Sequence, residues 1–268
     1  MKINLYKIYY NEATQIKIEN PFIPLYNDDT SGWYELIPIL NYLNQNILND
    51  DQWYGFFSTK FEMKTGYTAN ILNELMVKAE KNKSNVILIS PAWDQICYFQ
   101  NPIEQAEYWH EGIKGIFNDF IKYSGLKIEY QKWATTLNNT VFSNFIIAKK
   151  SFWQDWKALA NSLIIFSKFD KKLDERTSYG SVNYLVKRKA FIQERIANFI
   201  LSNNFYSITT PEYEFEYSID TSIFQDTLMN RKLLITCNEL KNSYLKTRNS
   251  EYLKIFNEIR NEIKLSNK

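Results

Sequence analysis

Apolar positions along the chain fall into two alternating periods. The segment Lys2 to Tyr10 alternates with a period of two and is rich in Ile and Tyr, which predicts a first strand ending at the polar turn Asn11 to Thr14. Residues Pro21 to Ser31 hold two prolines and the run Asn27-Asp28-Asp29-Thr30-Ser31-Gly32, so an irregular stretch is expected there. Leu36, Ile37, Leu40 and Leu43 then recur at helical spacing and predict a helix from Trp33 to about Leu48, with acidic residues at its start. A Trp-Tyr-Gly-Phe-Phe strand is expected within Asp51 to Phe61, a helix over Ala69 to Lys81, and an interior strand over Asn85 to Ser90, an unbroken apolar run closed by Pro91.

The pattern continues with helix over Ile103 to Ser124, a short strand at Leu126 to Tyr130, another at Phe142 to Lys149, and a helix from Ser151 to about Phe169. A further amphipathic helix is expected from Val186 to Leu201. Thr209 to Asp226 turns acidic and aromatic and reads as an excursion or lid, and Arg231 to Lys268 reads as two helices split near Asn249-Ser250. Strands alternating with helices predict an α/β fold in three layers, with helices on both faces of the sheet and a helical C-terminal extension. The expected division is a main domain over 1–205 and an extension over 206–268.

Composition narrows the classes. The 32 Lys and Arg nearly balance the 30 Asp and Glu, so no global field directs the chain to nucleic acid. Cys97 and Cys237 have no metal-binding spacing and read as buried thiols of a reducing compartment, hence a cytoplasmic protein. No apolar run of about 18 residues exists, so at most peripheral membrane association is expected. Aromatic residues make up 16% of the chain, enough both to fill a core and to line a site for planar or sugar-like ligands.

The common nucleotide and hydrolase signatures are absent, and His110 is the single histidine, which removes mechanisms needing two imidazoles. His110 reads either as a helix residue facing a polar partner or as a substrate contact. Since ligands in open α/β sheets bind beyond the carboxyl ends of strands, the residues after each strand are the ones to weigh. Trp93 and Asp94 follow the 85–90 strand, a combination suited to a sugar nucleotide. Ser58, Lys60 and Lys64 follow the aromatic strand, where cations can meet a diphosphate or simply face solvent. Asn144 offers an amide to substrate hydroxyls or caps a strand. Asp28 and Asp29, with Glu35, form an acidic loop that reads as substrate contact or as turn and helix cap. Glu194 and Arg195 stand between Ile192 and Ile196, a placement that points to function or to an internal salt bridge.

The stretches WYGFFSTKFEMKTG, NVILISP, NPIEQAEYWHEGI, VFSNFIIAKKSFWQDW and RKAFIQERIANFIL resemble motifs of bacterial glycosyltransferases from polysaccharide and capsule gene clusters, over roughly residues 20 to 205. The resemblance implies a GT-A-like, Rossmann-like sheet, a nucleotide-diphosphate sugar donor and a glycan or lipid-linked acceptor. It implies Asp94, Glu194 or Glu104 as the catalytic carboxylate, and Gln105 and His110 among the substrate contacts. No Asp-x-Asp follows the 85–90 strand, so a divalent metal is left open as a cofactor and Lys60, Lys64 or Arg195 is expected to neutralise the diphosphate instead. Two other readings are a non-catalytic carbohydrate- or protein-binding module and a glycoside hydrolase using two carboxylates.

Overall fold

A computed structural model describes residues 2–15, 18–90, 92–179, 181–203, 205–215 and 223–266, leaving the side chains of 178, 179, 181–184 and 203 aside. Pro91 and most of the acidic stretch beyond 215 lie outside the described residues. The chain opens with β1 (Lys2–Tyr9), a short helix α1 (Glu12–Gln15), β2 (Phe22–Tyr26), α2 (Leu36–Gln45) and β3 (Gln52–Ser58). Then come α3 (Phe61–Thr65), α4 (Ala69–Lys81), β4 (Val86–Leu88), α5 (Trp93–Tyr98), α6 (Pro102–Trp109) and α7 (Ile113–Ser124). The second half holds β5 (Ile146–Ala148), α8 (Lys150–Phe166), the hairpin β6 (Arg176–Tyr179) and β7 (Ser181–Lys187), α9 (Lys189–Gln193), α10 (Ile196–Asn203) and β8 (Ile208–Thr209). Two helices, α11 (Leu228–Thr247) and α12 (Glu251–Asn261), close it.

Six strands form one sheet in the order β2-β1-β3-β5-β4-β8, in which β5 alone runs against its neighbours. The alternation read from the sequence sorts side chains to the two faces. Leu5, Trp53, Phe57, Ile87 and Ile147 pack with Leu72, Leu75 and Met76 of α4 on one side. Ile8, Phe56, Val86, Leu88 and Ile146 pack with residues of α2, α7, α8 and α10 on the other. The result is the expected α/β arrangement with a mostly parallel sheet covered on both faces. Interior position and full burial of β4 hold as expected, although its ladder is three residues long.

Several local expectations are corrected. Residues 22–26 are a strand, because β1 supplies parallel ladder bonds along one side, and Pro24 is tolerated where the other side is a free sheet edge. Residues 126–129 form no strand; Leu126 and Ile128 lean on the core without a partner strand. The helix expected over 103–124 is interrupted at Gly112, whose φ of 88° starts α7 afresh. The single helix expected over 186–201 is the end of β7, then α9, then α10, broken at Glu194-Arg195. The hairpin β6-β7 was not anticipated at all.

The C-terminal helices dock on the main body, and β8, which follows residue 205, is an edge strand of the same sheet. Lys241 of α11 is fully buried and donates from Nζ to the backbone oxygens of Ile96 and Phe99, the latter at 2.7 Å. Cys97 and Cys237 are buried beside it as free thiols. Burial pushes Lys241 down to about 8, Cys237 up to about 11, and Cys97 upward as well. Between about pH 9 and 10 the unfolded chain has lost both thiol protons that the folded chain keeps, while it retains the amine proton that the folded chain has lost. The folded state then binds one proton more in net, so these groups lower stability by about 1.4 kcal/mol per pH unit as pH rises. Denaturant unfolding across that range should show this decline, and the Cys97→Ala/Cys237→Ala double variant should make it markedly shallower, since the thiols' share is gone while buried phenols such as Tyr10, Tyr42 and Tyr213, also raised, keep theirs. An unchanged slope in the double variant would refute the account.

Candidate functional site

Beyond the carboxyl ends of β1 and β3, which run in register with Ile8 opposite Ser58, lies a cavity of about 270 Å³. Tyr10 enters it from the end of β1, and Ser58, Thr59 and Lys60 from the end of β3. Lys64 reaches it from the single turn of α3, while Glu35 occupies the N-cap position of α2. The far wall is Val186, Ala190, Phe191, Gln193 and Glu194, from β7 and α9. An adjoining small pocket shares Glu35, Ser58, Lys64 and Glu194 and adds Asn144.

The break between α9 and α10 aims Glu194 into this space. Arg195 is buried in the opposite direction, donating to the backbone oxygens of Phe191 (2.7 Å) and Pro102 (3.3 Å) and to Oε1 of Gln105 (2.6 Å). Its bond to Glu194 is long, 3.4 Å, so the Glu194 carboxylate is held loosely and remains partly exposed to the cavity. Arg195 is thus a structural anchor, and the guanidinium expected to meet a diphosphate faces away from it.

Glu35 does not cap its helix; its side chain bonds no helix amide and instead accepts a hydrogen bond from the Tyr10 hydroxyl at 3.2 Å. Burial raises the Glu35 carboxyl above its ordinary value, and the charge of Glu194 raises it further; its own backbone amide, then the Tyr10 hydrogen bond and the Lys64 ammonium, pull the other way. Burial, then the Glu35 charge, holds the Tyr10 phenol well above its ordinary range. Two carboxylates of unequal environment therefore share one cavity, an arrangement suited to proton transfer. Neither Lys60 nor Lys64 makes an ion pair among the described residues, in contrast to Lys7, which is paired with Glu62. Asn144 is buried and donates to Gln193 Oε1 at 2.9 Å, leaving its own Oδ1 without a hydrogen bond.

Of the residues singled out from the sequence, Glu35, Ser58, Lys60, Lys64, Asn144 and Glu194 come together here. The others do not. Asp94 is 1% exposed within α5 and lines none of these cavities; at the carboxyl end of β4 it is Ser90, itself buried, that borders a cavity. Glu104 is taken up by Arg260 (2.7 Å) and the backbone N–H of Gln100 (2.6 Å), tying α6 to α12. Trp93 packs edge-on against Phe215, and Gln105 holds Arg195 while donating to Gln95. His110 ends α6 with its ring stacked on Phe191, behind the cavity wall. Asp29 accepts from the backbone of Ser31 and Trp33 as a turn residue, and Asp28 is exposed away from the cavity.

Tyr10, Tyr34 and Gln193 were missed as site residues. Tyr10 was within reach of the rule that ligands gather beyond parallel strands. Glu35 was noticed with the acidic loop of Asp28 and Asp29, but the cap reading does not hold, and its neighbours in the site come from three other elements. Among the described residues, no three His, Cys, Asp or Glu side chains are grouped to hold a metal ion. No helix among them is long and apolar enough to cross a membrane. Comparison with protein-family models, curated proteins and solved structures finds no match to this chain.

Proposed function

We propose that this cavity is the donor site of a glycosyltransferase, moving a sugar from a nucleotide diphosphate to a hydroxyl of a glycan or lipid-linked acceptor, with the sheet read as GT-A-like. The observation carrying this reading is the pair Lys60 and Lys64, which make no ion pair among the described residues and share the cavity with the carboxylates Glu35 and Glu194 beyond the ends of two parallel strands. In the transfer, the acceptor oxygen bonds to the anomeric carbon as the bond from that carbon to the diphosphate oxygen breaks. The acceptor proton passes to Glu35, whose raised pKa suits a general base, and the electron pair leaves with the diphosphate. Lys60 and Lys64 neutralise that leaving group. Ser58 and Asn144 offer hydrogen bonds to the sugar.

A carboxylate pair alone also fits glycoside hydrolysis. The two lysines favour a diphosphate, because a hydrolase acting on neutral glycans has no anionic leaving group for them to neutralise. Thermal unfolding in the presence of nucleoside diphosphates separates the readings. At a hundredfold excess over Kd the right nucleotide stabilises by about 2.7 kcal/mol, a rise in Tm of roughly 5–10 °C for a chain of this size. If no nucleoside diphosphate shifts the transition, with or without manganese, the transferase reading fails in favour of the hydrolase or the binding module.

A further inference from the structure

Lys64 stands between two spaces. On its other side opens a larger cavity of about 780 Å³, bounded by α3, α4, the end of β4 and the segment after β8. Two hydroxyls among its lining residues are buried and make no hydrogen bond among the described residues: Ser90 Oγ, on a residue 4% exposed, and Tyr213 OH. A buried hydroxyl without a partner is a standing penalty, removed when a ligand supplies the missing hydrogen bond. The charges around the space do not favour an anion. Lys78 is engaged by Glu212 at 3.0 Å, and Glu74 and Glu214 add further negative charge. Tyr67 and Tyr213 add ring surface, and the volume lies within the range of small-molecule sites.

Resting on the glycosyltransferase reading, we propose that this larger cavity is the acceptor subsite, taking an uncharged or amino-bearing carbohydrate whose hydroxyls bond Ser90 and Tyr213. Lys64 then marks the junction at which donor and acceptor meet. The phosphate of a nucleotide belongs on the Lys60 side, and polyhydroxylated ligand on the Ser90 side.

The test uses methyl glycosides of the common hexoses and N-acetylhexosamines, followed by saturation-transfer NMR with the wild-type chain and with Ser90→Ala and Tyr213→Phe. At least one glycoside should bind the wild type, and each variant should weaken it by about fivefold to tenfold, the worth of one neutral hydrogen bond. The unliganded variants should melt at the same temperature as wild type or higher, since each deletes a hydroxyl that has no partner. Their thermal response to nucleoside diphosphate should be unchanged. Absence of glycoside binding, binding that both variants retain in full, or a lowered melting temperature in the unliganded variants would overturn the proposal. Glycosides that bind through these hydroxyls while no nucleotide shifts the protein would leave a carbohydrate site standing and remove the transferase reading. Nucleotide shifts without glycoside binding would do the reverse.

Discussion

Glu35→Gln should reduce turnover, measured as nucleoside diphosphate release from the donor that the nucleotide screen selects, by about a hundredfold or more, the usual loss when a general base is removed. Stability should hardly change. The amide keeps the shape of the side chain and an oxygen to accept from the Tyr10 hydroxyl, and it removes a carboxylate that burial already disfavours in its charged form. Glu194→Gln should act differently. Arg195 keeps its bonds to Phe191, Pro102 and Gln105, so the fold is retained with Glu194 neutralised. The charge of Glu194 opposes ionisation of Glu35, and its removal lowers the Glu35 pKa, so the acid limb of kcat/KM should move to lower pH. Full turnover in Glu35→Gln, or an acid limb that stays in place in Glu194→Gln, would remove Glu35 from the role of base.

Lys64→Ala should be the most damaging change to the donor side. Lys64 reaches both cavities and the small pocket, and it follows one turn after Lys60 on the segment leaving β3. A charge-assisted contact to a phosphate is worth about 1.5–3 kcal/mol, so nucleoside diphosphate affinity should drop roughly ten- to hundredfold. Turnover should fall further, because leaving-group charge is greatest in the transition state. Lys64 also lowers the Glu35 pKa, so its loss should move the acid limb of kcat/KM upward, opposite to Glu194→Gln. Opposed shifts from two residues on different elements would be difficult to obtain from general loosening of the fold. Titration calorimetry with nucleoside diphosphate and pH-rate profiles of both variants measure them. Unchanged nucleotide affinity in Lys64→Ala would detach the cation from the diphosphate.

Elements whose stabilising partners are close in sequence, or whose faces are uniformly buried, were legible from the residue pattern alone. Helix α4 matches its expected limits, Ala69 and Lys81, because four apolar positions on one face and polar ones elsewhere define it locally. β4 was legible as an interior strand because every position of it is apolar. The separation of α11 from α12 was legible in the polar run around Asn249, where Arg248 takes a left-handed conformation. Composition likewise determined the free thiols and the lack of a membrane-length apolar run. The tertiary structure decided the rest. β2 exists because β1 lies beside it, and its Pro24, with Pro21 just before it, argues against a strand until that neighbour is present. The turn at Glu194-Arg195 follows from Pro102 and Gln105, some ninety residues earlier, which supply the oxygens that a buried guanidinium requires. Asp94 and Glu194 look alike in sequence, as carboxylates beside apolar residues. Packing enclosed one within α5 and turned the other into a cavity with Glu35, Lys60 and Lys64. Periodicity records which face of an element avoids water, but a carboxylate's chemistry depends on the charges and hydroxyls within a few ångströms, and at this site those come from β1, α2, α3 and α9, which only the folded chain brings together.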